Sequence, residues 1–321
     1  MLYSILKIFV GTARLIFCRR IIINNPALLK EKGPLMLACN HPNSFLDAVL
    51  LDVLFQQSIW SLTRGDMFVK KRISKILGVL RMLPVYRPSE GVENLSENYK
   101  TFDACIEIFR NNGVVLIFSE GLCVNEWHLR SLKKGTARLA IKCQDENIAL
   151  RILPVGINYS SFRRFGKNVF INFGTIFTLD EMDKTAPEGI RNQVFNNHLK
   201  KELEPLVFEI EKNNRQKKRK LLEKKPSLIL KILLGIPAFI GLLAHAPLYL
   251  PVKIAVLIKL RKTVHVDSVL IAVLVFIYPF YLLLIVLVGF ILTKSLWFFL
   301  LFLLLPFTAW SYVQVKGQLD K

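Results

Sequence analysis

Acid is scarce in this chain: 24 Asp and Glu stand against 44 Lys and Arg, a formal charge of +20 over 321 residues. A surplus of that size seeks a polyanion, either nucleic acid or an anionic membrane. Cysteine is scarce too. Cys18, Cys39, Cys105, Cys123 and Cys143 are scattered and odd in number, and none forms a C-x-x-C pair. That argues against a disulfide framework or structural zinc and fits a reducing compartment. His128, His198, His245 and His265 lack metal-ligand spacing. There is no internal repeat and no low-complexity tract. Charged residues make up only 21% of the chain against 52% hydrophobic, which excludes a disordered chain and argues against a plain soluble protein. Long apolar runs give a nucleic-acid binder nothing, and no recognition-module signature is present. The composition therefore favours a membrane.

The opening stretch, MLYSILKIFVGTARLIF, is apolar but interrupted by Lys7 and Arg14. It lacks the small-residue cleavage pattern of a secretory signal. It reads as a membrane-lying helix, with a short transmembrane anchor as the alternative, and residues 1–33 read as an N-terminal membrane-associated helix. Residues 34–210 alternate short apolar runs with helical patterns. The runs at 35–39, 58–63, 114–118, 152–157 and 169–173 read as buried strands. Residues 45–55, 99–110 and 135–142 read as helices between them. This alternation predicts an α/β fold with a central, mostly buried sheet flanked by helices.

Residues 212–225, KNNRQKKRKLLEKK, hold eight basic residues and one acid. They abut an uncharged stretch, so the linker at 211–231 reads as a juxtamembrane polybasic segment, drawn to anionic lipid by about 1 kcal/mol per basic residue. In the C-terminal region, 232–321, residues 269–292 and 296–313 are long and apolar enough to span a bilayer and predict a tight membrane hairpin. Residues 232–252 carry Pro237 and Pro247 and have basic residues on both sides, which disfavours crossing. They read as re-entrant or interfacial. The expected topology puts both ends of the hairpin, and the 34–210 domain, on the cytoplasmic face.

The densest chemical signal is Asn40-His41-Pro42-Asn43-Ser44-Phe45-Leu46-Asp47, between the strand LMLAC and a helix. A His in the turn after a strand sits where open α/β sheets place ligands. It is the natural base near neutral pH, and a carboxylate one turn into the next helix can fix its tautomer. Two readings of these residues stay open: a catalytic pair, or a capping box at Ser44-x-x-Asp47 with His41 as a satisfied polar residue.

Three further segments follow in order: residues 78–87 (GVLRMLPVYR), residues 115–121 (VLIFSEG) continuing into 129–138 (LRSLKKGTAR), and residues 152–156 (ILPVG). With the His–Asp block they resemble the four motif blocks of the phospholipid/glycerol acyltransferase family, over roughly residues 34–210. The resemblance implies a glycerolphosphate-acyltransferase-like fold and acyl transfer from coenzyme A or acyl carrier protein. By it, His41 is the general base and Asp47 its orienting partner. Arg87 corresponds to the cation that binds the acceptor's phosphate, Glu120 and Gly121 to the acidic residue and glycine tied to acceptor binding, and Pro154 to the proline assigned to architecture and donor binding. Two departures stand out. Five residues rather than the usual four separate His41 from Asp47, a spacing similar to that of fungal glycerol-3-phosphate and dihydroxyacetone-phosphate acyltransferases. Block three, usually Phe-Pro-Glu-Gly-x-Arg, reads Phe118-Ser119-Glu120-Gly121-Leu122-Cys123, so Arg130, Lys133 or Lys134 are the candidates for the missing cation.

The expected function is thus a membrane-bound acyltransferase of phospholipid biosynthesis, with glycerol 3-phosphate or its 1-acyl form as acceptor. Its partners are membrane lipids, acyl-CoA or acyl carrier protein and a phosphorylated glycerol, with no cofactor beyond the acyl donor, no metal and no nucleic acid. The alternatives are an O-acyltransferase for an amino-acid-headed lipid or a lysophospholipid, or a non-enzymatic lipid-handling membrane protein. The acyl step needs no covalent enzyme nucleophile, and no G-x-S-x-G elbow is present. Cys39 and Cys123 read as small buried residues. Backbone N–H groups near Asn43 or Gly121 are the candidate oxyanion donors.

Overall fold

The computed structural model describes residues 2–86 and 97–319. Within them a single sheet of seven strands organises the first two thirds of the chain. The strands are β1 (Cys18–Ile23), β2 (Leu35–Cys39), β3 (Ile59–Arg64), β4 (Met82–Val85), β5 (Val114–Phe118), β6 (Arg151–Tyr159) and β7 (Lys167–Phe173), in the spatial order β1-β7-β6-β2-β5-β3-β4. Neighbours run parallel except β6 and β7, which are antiparallel. A mostly parallel sheet needs cover on both faces, and β2 is built for that: all five of its residues are buried. Leu35, Leu37 and Cys39 point into one core, with Phe17, Leu50, Leu51 and Phe55. Met36 and Ala38 point into the other, with Cys105, Phe109, Leu139 and Leu199. The two-residue alternation of a strand thus feeds two separate cores.

Helix α1 (Leu2–Phe17) and helix α2 (Phe45–Leu54) supply residues to the first core. After α3 (Lys71–Val79), the second core takes residues from α4 (Glu97–Arg110), α5 (Lys134–Asp145) and α6 (Glu188–Leu203). The layers are those expected of the α/β reading. One boundary differs, and one strand is added. The region 1–33 is not one membrane-associated helix: α1 stops at Phe17, and Cys18–Ile23 adds a strand to the sheet edge against β7. A further strand at the opposite edge, β4, contains Pro84, which an edge strand tolerates because one of its sides needs no N–H.

Part of the basic linker forms the short helix α7 (Arg215–Leu222), started by Asn214, whose side chain accepts from the Lys217 N–H at 2.9 Å. Three apolar helices follow. They are α8 (Leu228–Leu260), α9 (Val266–Thr293) and, after a 3-10 turn at Leu296–Leu300, α10 (Leu301–Val315). Residues 232–252 are therefore not a separate re-entrant element. They lie inside one continuous helix of 33 residues that is long and apolar enough to cross a membrane, as are Val266–Thr293 and Leu296–Val315. Pro237, Pro247 and Pro251 stay within α8. Large apolar side chains on all three helices, among them Ile236, Phe280 and Leu303, face outward, as a surface in contact with lipid requires.

Candidate active site

The loops after β2, β5 and β6 leave the same edge of the sheet, because those strands are parallel neighbours. This is the edge at which open α/β sheets gather ligands. Asn40 fixes the first loop: its side-chain amide donates to the Ile157 carbonyl at 3.0 Å and accepts from the Ile157 N–H at 2.7 Å. His41 follows. Its ring stacks on Phe118, with centroids 3.8 Å apart and planes 12° from parallel. Its Nδ1 lies 2.9 Å from Asp47 Oδ2. Asp47 is fully buried and takes two more donors, the Asn43 N–H at 2.8 Å and the Tyr159 hydroxyl at 2.6 Å. A carboxylate facing Nδ1 places the ring proton there and leaves Nε2 as the basic nitrogen.

The extra residue between His41 and Asp47 does not swing the pair apart. Helix α2 begins only at Phe45, so Pro42, Asn43 and Ser44 absorb the insertion before the helix starts. The cost is local. Ser44 has φ 52° and ψ −145°, a region that costs a residue with a Cβ about 1–3 kcal/mol. Nor is this a capping box. The Ser44 side chain makes no cap bond, and Asp47 reaches back to Asn43 rather than to Ser44.

Glu120 is buried and faces inward. Its two oxygens accept the His41 N–H and the Arg130 N–H, both at 2.9 Å. Burial raises its pKa, and those two backbone donors oppose the shift. The carboxylate thus fastens the backbone of the His41 loop to the segment after β5. Asn125 and Val124 add to this, donating to the Pro42 carbonyl at 2.8 Å and the His41 carbonyl at 3.2 Å. Gly121 sits at φ 65°, and a Cβ there would stand 3.0 Å from Lys133 Cγ. Both backbone donors singled out for an oxyanion are already engaged, Asn43 N–H with Asp47 and Gly121 N–H with the Phe118 carbonyl.

The remaining sequence candidates divide. Arg87 lies outside the described residues. The Arg130 guanidinium is paired with Glu126 at 2.6 Å. Lys133 lies beside Gly121, and Lys134 opens α5. Pro154 is buried within β6, opposite Ala38 of β2. It sits in the sheet rather than in the His41 loop. Asn43 is fully buried, and its amide donates to Asp267 Oδ2 at 2.8 Å. Cys39 and Cys123 are both buried; burial pushes the Cys39 thiol well up, and Cys123 Sγ accepts the Ser44 N–H at 2.9 Å. Among the described residues, no three His, Cys, Asp or Glu side chains converge as a metal site.

Tyr159, which no local pattern marks, and the start of α9 are further contributors. His265 Nδ1 lies 2.6 Å from Ser44 Oγ, and Ser268 Oγ donates to the Asn43 carbonyl at 3.1 Å. Asp267 also pairs with Lys167 of β7, both fully buried. Burial, with Arg64 and His41 nearby, lowers the His265 pKa. The one available signal was His265-Val-Asp267 itself, ionisable residues heading an apolar run.

Comparison with known proteins adds the following. The family model described as Acyltransferase matches residues 20–158. Among solved structures, this chain is similar to the 1-acyl-sn-glycerophosphate (LPA) acyltransferase PlsC of Thermotoga maritima. The two are 15% identical, with a TM-score of 0.43 over 64% of this chain and 79% of that one. A search of curated proteins gave no match. The span that matches the Acyltransferase family model, residues 20–158, holds His41, Asp47 and Glu120.

Proposed function

We propose that this protein is a membrane-bound O-acyltransferase that moves a fatty acyl chain from the thioester of acyl-CoA or acyl carrier protein to a hydroxyl of glycerol 3-phosphate or 1-acyl-glycerol 3-phosphate, a step towards phosphatidic acid. The observation that carries the reading is His41 Nδ1 held 2.9 Å from the buried Asp47 inside an Acyltransferase match, with Nε2 left for chemistry. The acceptor hydroxyl gives its proton to His41 Nε2 as its oxygen bonds to the thioester carbonyl carbon. The tetrahedral intermediate then collapses, the C–S bond breaks, and the sulfur leaves as a thiolate or takes the proton back from the imidazolium. A thiol of pKa near 8.5 is a good leaving group, so one base suffices, and such a base is worth about 10²- to 10⁴-fold in rate. Asp47 steadies the imidazolium, and Arg87 is assigned to the acceptor's phosphate. The three apolar helices would keep the greasy substrate and product at the bilayer, with the domain on the cytoplasmic face.

One observation favours a second acceptor class. The arginine usual in block three is replaced by Cys123, whose sulfur is engaged with Ser44, and the Arg130 guanidinium is committed to Glu126. A lipid with a different head group would then be the substrate. Purified protein in detergent with labelled acyl-CoA, offered glycerol 3-phosphate, its 1-acyl form, dihydroxyacetone phosphate and an amino-acid-headed lysolipid, decides between them. Transfer to a glycerol phosphate that His41→Ala abolishes is the expected result. Transfer that survives His41→Ala overturns the base assignment, and no transfer to any acceptor overturns the enzyme reading.

A further inference from the structure

The loop that carries His41 is held from two sides. One is its own domain, through Asp47, Glu120 and Cys123. The other is the first turn of α9, a helix long and apolar enough to cross a membrane. Three bonds run from that turn to two consecutive loop residues: His265 Nδ1 to Ser44 Oγ at 2.6 Å, Asp267 Oδ2 from the Asn43 amide at 2.8 Å, and Ser268 Oγ to the Asn43 carbonyl at 3.1 Å. Asn43, Asp267, Ser268 and Lys167 are all fully buried. Burying polar groups is costly unless they are paired; Asn43 pairs with Asp267 and Ser268 across more than 220 residues of chain, and Asp267 also pairs with Lys167, while Asn43 Oδ1 has no hydrogen-bond partner among the described residues. Ser44 is the residue with positive φ, and its N–H and its hydroxyl are held from opposite sides, by Cys123 and by His265.

We propose that His265, which caps this membrane helix, and Asp267, in its first turn, are positioning residues for the catalytic loop, keeping Asn43 and Ser44 in the backbone geometry that lets His41 meet Asp47. The proposal rests on the acyltransferase reading for its kinetic consequence but not for its structural one. A membrane segment is thereby part of the site, and the domain at residues 20–158 is incomplete without it.

The test is a cycle of Ser44→Ala, His265→Ala and the double variant in the full-length protein in detergent, read by acyl transfer and by hydrogen exchange. Each single variant is expected to lower kcat about 3- to 10-fold, the range open to one neutral hydrogen bond, with KM for the acyl donor unchanged. The double variant should be no worse than either single one, because both remove the same bond. Losses that multiply, or a loss confined to KM, overturn the proposal. Exchange at the Asn43 and Ser44 amides should rise at least tenfold in His265→Ala while the β2 and β5 amides keep their protection; unchanged loop exchange overturns the proposal whatever the activity. Asp267→Asn, which retains an acceptor for Asn43, should keep more activity than Asp267→Ala; equal activities in the two count against it. If the wild type transfers no acyl group, the exchange result still stands, so failure of the acyltransferase reading is distinguishable from failure of this one.

Discussion

Replacing Tyr159 by Phe removes one oxygen and leaves the ring packed where it is. That ring is fully buried, and Phe162 lies against it at 6.0 Å. Burial, together with Asp47 beside it, pushes the Tyr159 phenol well above its ordinary value, so it remains a donor at any working pH. Its bond to Asp47 Oδ1, at 2.6 Å, is one of three that aim this carboxylate. A hydrogen bond to a charged group contributes about 1.5–3 kcal/mol. At 1.36 kcal/mol per decade, the full loss felt in the transition state corresponds to about a 10- to 150-fold fall in kcat. We expect Tyr159→Phe to fall in that range at saturating acyl-CoA, with the acceptor that the wild type uses fastest. Thermal unfolding in detergent, run alongside, separates the two ways of losing the bond. A lower Tm with kcat within twofold of wild type would make the hydroxyl structural and refute its part in aiming Asp47.

Other perturbations act on neighbouring links of the same chain. Asp47→Asn should cost about 10⁴ in turnover, as replacing the carboxylate that orients a catalytic imidazole does elsewhere; labelled-acyl assays returning more than a tenth of wild-type activity would contradict the role. Leu37→Ala, at a fully buried position of β2, should destabilise the domain by about 2–5 kcal/mol, measured as a lower unfolding midpoint in denaturant with the remaining folded enzyme still active. His265 is held below its ordinary pKa by burial and by Arg64 and His41 nearby. As pH falls through about 6.5, the unfolded chain therefore takes up this proton before the folded one does. Stability should fall with pH in that window and be level above it. Melting curves of His265→Gln should show a shallower acid-side fall than the wild type, and parallel curves would refute the shift.

How much of this was readable from sequence depends on whether the cause is local. The strands at 35–39 and 114–118 are continuous apolar runs because both their faces are buried, and nothing else short and apolar sits between turn residues there. The strand at Cys18–Ile23 hides because CRRIII carries two arginines and follows α1 with no Gly or Pro to mark a break. Its pairing with β7 is set by tertiary packing, not propensity. His41 and Asp47 were legible because a loop and one helical turn are all that separate them. Tyr159 and Asp267 were not: each reaches the site through the sheet or the membrane helices, more than 100 residues away in the chain. The expectations for Asn43, beside the candidate oxyanion donors, and for Glu120, tied by the resemblance to acceptor binding, also relied on motif position. In the structure the Glu120 side chain ties the His41 loop to the segment after β5 and the Asn43 side chain ties it to the first turn of α9, contacts that no local pattern marks.

The longer His–Asp spacing has a structural consequence beyond the pair itself. With one more residue to place, the loop turns through a positive φ at Ser44 before α2 begins, and a residue with a Cβ takes that conformation only when its surroundings over-determine it. In this chain the surroundings come from two places: the segment after β5, through Cys123 and Glu120, and the first turn of α9. The first lies in the span that matches the Acyltransferase family model, residues 20–158, the second in the region of long apolar helices. About 1–3 kcal/mol of backbone strain set against hydrogen bonds of roughly 0.5–1.5 kcal/mol each is a near balance. A loop so balanced depends on the membrane helix being seated against the domain, and that dependence links lipid association to the geometry of His41.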